Sequence, residues 1–600
     1  MTSAAALRRA LRLLLPLLVP LAVVSTAYLY LYPVFHGCAF PLPPQPRRDD
    51  AADPHLLHQH ADQQHAALLD TASRHVPLLN ATAPRRAPFR LLALGDPQLE
   101  GDTSIPNAYL GVVPHLRSLV RHLTFQTTHP SLRQRLRRAA HNLVDFYFED
   151  IPNELESARK RLDLLGNDFY LAHVYRTLHW WSQPTHVSVL GDLVGSQWID
   201  DGEFERRGRR FWDRVFRGTE RVADEIAAYP SAEYDLTATL DEGGGDGGAL
   251  GAWKHRLINV AGNHDIGYAG DLTPERIARF ERVFGKANYE LRFELPLSDP
   301  SLNATLYDPA TNPDSTRLAP ELRVVVVNDM NLDTPALSKE LQDETYKFMN
   351  AVIRTGAAVE FAGQYTVALT HIPLHKPKGV CVDAPYFDFF PAAEGGGVRE
   401  QYLLSYDASR TFLEGIYGLN GNPRAAGKGM GRRGVILNGH DHAGCDTWHY
   451  INQTNGTSPR ERRWEARRWL EARDEGVPRR EGHPGMREIT VRSMMGDYGG
   501  NAGLLSAWFD EEAWEWRVEY AACELGPHYL WWTVHVVDLI AVVGGVILGA
   551  LAWFPLGGDK GGVGVVVAGK GGGSDDARGG GDKGAAAGAV AGGKKEEKKD

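Results

Sequence analysis

Five short apolar runs in this chain of 600 residues each end on a tight turn that carries a carboxylate, an amide or an imidazole. Phe89-Arg90-Leu91-Leu92-Ala93-Leu94 leads into Gly95-Asp96-Pro97-Gln98, and Thr185 to Leu190 leads into Gly191-Asp192. Leu257-Ile258-Asn259-Val260-Ala261 leads into Gly262-Asn263-His264-Asp265. Tyr365 to Thr370 delivers His371, and Gly434 to Asn438 delivers Gly439-His440-Asp441-His442. Apolar runs of this length, bounded by turn residues, read as buried strands. Any one of them is ordinary, because a Gly-Asp or a lone His after a strand is common. Five in a row constrain the fold: in an α/β protein the carboxyl ends of parallel strands converge on one sheet edge, where sites form.

The converging side chains are carboxylates, amide oxygens and imidazoles, with no thiolate. That donor set suits Mn, Fe or Zn in a catalytic site better than a structural Zn. There are enough donors for two ions, which about 3.5–4 Å apart can clamp a phosphate and activate water for in-line displacement. Asp192 is the natural bridging carboxylate, because its own segment supplies no second ligand.

This constellation resembles the calcineurin-like metallophosphoesterases, whose pattern is Asp-x-His, Gly-Asp, Gly-Asn-His-Asp/Glu, His and Gly-His-x-His. The resemblance spans roughly residues 89 to 445. It implies an α/β sandwich of two β-sheets flanked by helices, around a dinuclear centre. By that resemblance one ion takes Asp96, Asp192 and His442, and the other takes Asp192, Asn263, His371 and His440. His264 stands beside the metals as the general acid, with Asp265 orienting it. Gln98 occupies the place where the family usually has His, so it is either a poorer, neutral ligand or a second-layer group.

Further stretches resemble one fungal branch of that family, the membrane-anchored phosphoesterases that remodel GPI anchors. They are Asp96-Pro97-Gln98-Leu99-Glu100-Gly101-Asp102, Asn167-Asp168-Phe169-Tyr170, Ser196-Gln197-Trp198, Asp265-Ile266-Gly267-Tyr268 and Met495-Gly496-Asp497-Tyr498-Gly499-Gly500-Asn501. The branch shares the Gln at the first motif. The resemblance implies removal of an ethanolamine-phosphate side branch from a mannose of the GPI glycan, typically with manganese, in the endoplasmic reticulum or Golgi. The partner is then a GPI glycolipid or GPI-anchored protein. The rival readings are a phosphatase for another lumenal phosphoester and a non-catalytic metal-binding or cargo-receptor protein.

Membrane attachment is legible from the residues. Residues 13–35 carry no charge and exceed the ~20 residues that cross a bilayer core. Arg8, Arg9 and Arg12 precede them, which places residues 1–12 in the cytoplasm. Residues 536–556 form a second apolar stretch, with Trp531 and Trp532 as interface anchors and Asp538 expected at the headgroup level. Two spans place residues 36–528 in the lumen and the Gly-, Ala- and Lys-rich segment 557–600 in the cytosol. The chain's final Lys594-Lys595-Glu596-Glu597-Lys598-Lys599-Asp600 departs from a strict dilysine retrieval signal and reads as a charged tail. Four N-glycosylation sequons, at Asn80, Asn303, Asn452 and Asn455, fall in the middle segment. Four cysteines allow three pairings. Cys38 and Cys523 each sit beside a span and Cys381 and Cys445 each follow a His motif, which favours Cys38–Cys523 and Cys381–Cys445.

Residues 36–85, rich in Pro, Ala and His, read as a linker leading to a lumenal domain at 86–528. Helical periodicity marks two long helices within 131–182 and shorter ones near 203–228 and 273–285. The Arg- and Glu-dense stretch 459–485 reads as a charged helical insertion. A net charge of -10 and the lack of a broad basic face argue against a nucleic-acid partner.

Overall fold

A computed structural model describes residues 3–44, 56–76, 86–105, 110–128, 131–237, 253–295, 319–451, 462–480 and 482–553. The four sequons and the tail beyond residue 553 lie outside the described residues.

The five ligand-bearing runs are strands β1 (Phe89–Leu94), β2 (His186–Val189), β3 (Arg256–Asn259), β4 (Gln364–Leu369) and β5 (Arg433–Asn438). They fall in two sheets. β1, β2 and β3 are parallel neighbours in a six-stranded sheet. β4 and β5 are parallel neighbours in an eight-stranded sheet. All five therefore run the same way within their sheets and deliver their turns to one edge.

Period-two alternation along each strand builds two cores. Phe89, Leu91 and Ala93 of β1 pack with Val367 and Leu369 of β4 and Val435 and Leu437 of β5, between the sheets. Leu92 and Leu94 point the other way, against Tyr170, Leu171, Val174 and Leu178 of a helix. Strands buried on both faces explain why these runs are continuously apolar rather than alternating. Each fully buried Leu or Val side chain contributes about 1.5–3 kcal/mol. The fold is thus the expected sandwich, with helices outside both sheets.

Four long helices frame it. They are α1 (Ser3–Tyr30), α2 (Leu56–His75), α3 (Ile151–Ser182) and α4 (His528–Trp553). α1 and α4 are long and apolar enough to cross a membrane. They pack on one another, and Thr26 Oγ1 donates to Asp538 Oδ2 at 2.8 Å. Asp538 is therefore answered by the facing helix, where the sequence pointed to headgroups alone. Both helices also begin earlier than the apolar stretches; in α1 the Ala-, Leu- and Arg-rich residues 4–12 are good helix formers that extend it beyond the uncharged core.

Two expectations change. The linker region contains α2, which packs on α3 through buried Ala67, Asp70 and Thr71. Asp70 pairs with both Arg74 and Arg86, a tie that periodicity does not show. The charged segment 459–485 is not wholly helical. Trp464–Arg468 is an edge strand antiparallel to Cys445–Ile451, followed by a short helix, Trp469–Asp474. Its outward Glu465 and Arg467 are the charges that edge strands use to discourage further pairing.

Both favoured disulfides form, Cys38–Cys523 and Cys381–Cys445. The first joins the segments adjoining the two apolar helices, and the Cys38 carbonyl accepts a hydrogen bond from the Trp181 indole at 2.7 Å. Cutting this tie by Cys38→Ser/Cys523→Ser should cost about 2–5 kcal/mol and lower the melting temperature in detergent. An unchanged melting temperature would show that helix packing alone sets the geometry.

Candidate metal centre and its cleft

Three of the five turns, those after β1, β2 and β5, are strained. Asp96, Gln98, Asp192 and His440 all have positive φ, of 45°, 40°, 52° and 69°. For non-glycine residues this costs roughly 1–3 kcal/mol each and persists only where the surroundings enforce it. Those surroundings are hydrogen bonds between turns. Gln98 N–H donates to Asp192 O at 2.8 Å, and Met494 N–H donates to Gly95 O at 2.8 Å. His440 N–H donates to Asp96 Oδ1 at 2.9 Å, joining the edges of the two sheets.

Two groups of donor atoms result, each within 4.8 Å of one another: Asp96, Asp192 and His442, and Asp192, His371 and His440. Asp192 belongs to both. Asn263 Oδ1 lies 3.0 Å from His371 Nε2 and 2.9 Å from His440 Nδ1. The far nitrogens of both rings face backbone carbonyls. His371 Nδ1 donates to Leu190 O at 2.8 Å, and His440 Nε2 donates to Gln401 O at 2.9 Å. With both rings neutral, as metal binding requires, these bonds leave a lone pair on each near nitrogen, aimed at Asn263 Oδ1. Asp192 Oδ1 lies 3.3 Å from His371 Nε2. Convergent lone pairs with no hydrogen between them fit a cation. Asp96 Oδ2, buried and without a hydrogen-bond partner, fits one too.

The electrostatics agree. Burial pushes the Asp96 pKa up to about 8, against the pull of His371. Burial would raise Asp192 as well, but His264, His371 and His440 hold it well below the usual carboxylate range. Burial alone would lower His371, yet the Asp192 and Asp96 carboxylates raise it to about 10. Burial and the neighbouring His371 push His440 down to about 3. Two carboxylates sharing a buried site need positive charge, from protons or from metal.

The remaining sequence candidates divide. Gln98 Nε2 donates to Asp192 Oδ2 at 2.9 Å and lies 3.0 Å from His442 Nε2, so its amide nitrogen faces the donor group. His264 gives its backbone N–H to Asp192 Oδ1 at 2.9 Å, and its ring lines the cleft. Asp265 does not orient that ring by a hydrogen bond. Its carboxylate accepts from Gly262 N–H and Val194 N–H, both at 2.9 Å, and so locks one turn to the next. At the third position of a helical turn, a carboxylate reaches back to the first amides more readily than forward to its neighbour's ring.

Above the donors opens a cleft of about 490 Å³, whose walls include Trp198, Tyr268, Asp383, Arg399, Glu400 and Tyr402. The last four were not read from the sequence. Arg399 and Glu400 stand on, and Asp383 and Tyr402 flank, a small hairpin, Phe387–Phe389 with Val398–Gln401, whose Gly395-Gly396-Gly397 turn was its one visible signal. Asp329 was missed too. Its carboxylate accepts from His371 N–H at 3.3 Å and Ile372 N–H at 2.9 Å. So was Glu488, fully buried, which accepts from Leu374 N–H at 2.6 Å, Asn438 Nδ2 at 2.7 Å and Lys376 Nζ at 2.8 Å. Glu488 thereby holds the roots of the His371 and His440 turns together.

A two-sheet sandwich with two cation-shaped donor groups sharing one carboxylate under an open cleft defines a metal-dependent phosphoesterase. No family model matches the chain. Its sequence is 32% identical over 417 residues to Protein TED1 of Saccharomyces cerevisiae, covering 64% of this chain and 77% of that protein. It is 25% identical over 387 residues to an uncharacterized protein of Schizosaccharomyces pombe, covering 62% and 78%. It is 24% identical over 298 residues to metallophosphoesterase 1 of Danio rerio, covering 48% and 60%. The chain belongs to the metallophosphoesterase family that includes Protein TED1.

Two outcomes test this geometry. A Cβ on Gly262 would stand 2.2 Å from Asp192 N and 2.3 Å from Asp192 Oδ1. Gly262→Ala should therefore weaken metal binding by about 10–100-fold, the scale of disturbed ligand support, measured by metal titration. Unchanged affinity would remove Asp192 from the centre. Separately, Glu488→Gln should cost about 3–5 kcal/mol by leaving Lys376 buried and unpaired. Burial opposes ionisation of Glu488, but Lys376 and His449 hold its pKa well below the ordinary value. A depressed folded pKa gives stability that is fully present above the unfolded value, about 4.3, and is lost as pH falls from there through the folded pKa. The melting-temperature gap between wild type and Glu488→Gln should hold from pH 7 to 5 and narrow only as pH falls below about 4. A constant gap would contradict this account.

Proposed function

We propose that this chain is a dinuclear-metal phosphodiesterase that removes an ethanolamine-phosphate side branch from a mannose of GPI anchors. It acts from the lumenal face of the endoplasmic reticulum membrane, with the Golgi as the alternative compartment, and manganese is the metal. The observation that carries the reaction is the pair of donor groups sharing Asp192, beneath an open cleft. The substrate reading rests on the resemblance to the GPI-remodelling branch. It is supported by the two apolar helices, which hold the cleft close to a bilayer where lipid-linked glycans present their phosphodiesters.

Asp96, Asp192 and His442 would hold one ion, and Asp192, Asn263, His371 and His440 the other. When bound, two divalent ions supply Lewis-acid activation of water and neutralise phosphate charge. Gln98 donates to Asp192 Oδ2 and so fixes its orientation. His264 stands on the cleft side, its Nε2 3.7 Å from Asp192 Oδ2, where it can give a proton to the departing mannose oxygen. Asp265 fixes the backbone that carries His264 and leaves the ring free to face substrate.

The test uses the full chain purified in detergent, with its metal content measured, on ethanolamine-phosphate-bearing GPI. Wild type should release ethanolamine phosphate. His264→Ala should lose about 10²–10⁴-fold in rate with metal content retained. Asp192→Asn should lose both metal and activity. Equal release by all three proteins would overturn the mechanism, and bound metal without release of any phosphoester would favour a non-catalytic role. Glycosidase-sensitive mass at the four sequons reports the lumenal orientation.

A further inference from the structure

Helix α3 has two unlike faces. Leu164, Asp168, Leu171 and Tyr175 are buried against the domain. On the opposite side, Leu155, Leu162 and Leu165 recur at helical spacing and are exposed by 67%, 58% and 40%. At the edge of this stripe Gly166 lies against the Trp532 ring of α4 with no room for a Cβ. Tyr170, one turn on, donates its hydroxyl to Gly526 O at 2.7 Å. The apolar stripe is therefore continuous with the helix pair that crosses the membrane.

It also continues toward the chain's start. The preceding helix, Leu132–Asp145, exposes Leu132, Leu136 and Leu143 on one face, and Phe148, in the π-helical segment Phe146–Asp150 that joins it to α3, is 78% exposed. Single exposed apolar side chains are normal, but a contiguous run on successive helices marks an interaction surface. Arg133 and Arg137, each one residue past an exposed Leu, form no ion pair among the described residues. Residues 132–169 carry seven Lys and Arg against seven Asp and Glu, with four of the Arg clustered at 133–138 beside the apolar stripe. Apolar stripes edged with Arg are the pattern of helices that lie in the headgroup layer of an anionic bilayer.

We propose that the helices spanning residues 132–169 form a foot that embeds in the surface of the same bilayer that α1 and α4 cross. The foot is joined rigidly to the site. Lys160 Nζ lies 3.0 Å from Glu100 Oε2. Arg210 donates to Glu100 O at 2.6 Å and to Asp168 Oδ1 at 2.6 Å, and Arg214 donates to Asp168 Oδ2 at 2.6 Å. Glu100 follows Gln98 by two residues, so the foot sets the height of the Asp96–Gln98 turn above the lipid. The inference rests on the two apolar helices crossing a bilayer and not on the identity of the substrate.

The test places the full chain in nanodiscs of phosphatidylcholine with phosphatidylserine. An environment-sensitive fluorophore is attached to Leu136→Cys, to Leu162→Cys or to Glu512→Cys, in the turn at the end of strand Glu515–Glu524 remote from α4; the native cysteines are all in disulfides. Nitroxide-labelled lipids should quench the first two labels severalfold and leave the third near its unquenched level. Water-like emission without quenching at positions 136 and 162 would overturn the proposal. So would a shielded but unquenched label, which would assign the face to another protein or to a second copy. In the same nanodiscs, Leu136→Glu/Leu162→Glu should abolish quenching of a label at Phe148→Cys, and should slow turnover of a lipid-linked phosphodiester about tenfold while sparing a water-soluble one. Retained quenching at position 148 would show that the foot is not held by lipid.

Discussion

A single buried carboxylate organises the architecture. Asp192 sits at the end of β2 in a left-handed conformation and is fully enclosed. Gln98 comes to it from the β1 turn, the His264 amide from the β3 turn and His371 from the β4 turn. A buried anion is tolerated only when it is paired and hydrogen-bonded, and here three other strands meet that demand. The local backbone is shaped to the same end. A Cβ on Gly191 would stand 2.2 Å from His371 Nδ1, so the chain approaches that ring as only glycine permits. Convergence of the five strands is thus a consequence of charge burial as well as of sheet topology.

Supporting groups extend this logic outward. Asp265, Asp329 and Glu488 are buried acids that bind backbone amides or a buried lysine rather than substrate. Each ties the base of one turn to another: Asp265 joins 262 to 194, Asp329 grips 371 and 372, and Glu488 joins 374 to 438. Because these anchors are internal, the donor atoms hold their spacing while the cleft above remains open. On the other side of the first turn, Glu100 is held by Lys160 and Arg210, and through α3 the site is braced against the anchoring helices. Membrane attachment and catalytic geometry are parts of one framework.

Much of the candidate site was readable because each converging donor residue is adjacent in sequence to a recognisable strand. Asp96, Asp192, Asn263, His371, His440 and His442 needed only local patterns and one topological rule. Asp265 was misjudged for a complementary reason: its neighbour in sequence is not its neighbour in space, and its partners Gly262 and Val194 lie on two different turns. The hairpin bearing Arg399, Glu400 and Tyr402 was silent because its strands are short and its residues generic. Likewise α2 was hidden in a Pro-, Ala- and His-rich stretch, since the contacts that hold it to α3, from Arg74 to Ser182 O and from His75 to Trp181 O, join segments more than a hundred residues apart.

The residues alone determined the strand runs, the ligand types, the two apolar helices and the cysteine positions. These depend on local periodicity and on side-chain chemistry that does not need a partner. Only the tertiary structure decided which groups are ligand-facing and which are supports, how Gln98 is turned and how Asp538 is answered. It also decided that the apolar face of α3 runs on from the membrane helices. All of these depend on distances between segments far apart in the chain, which burial and packing set and which no window of sequence contains.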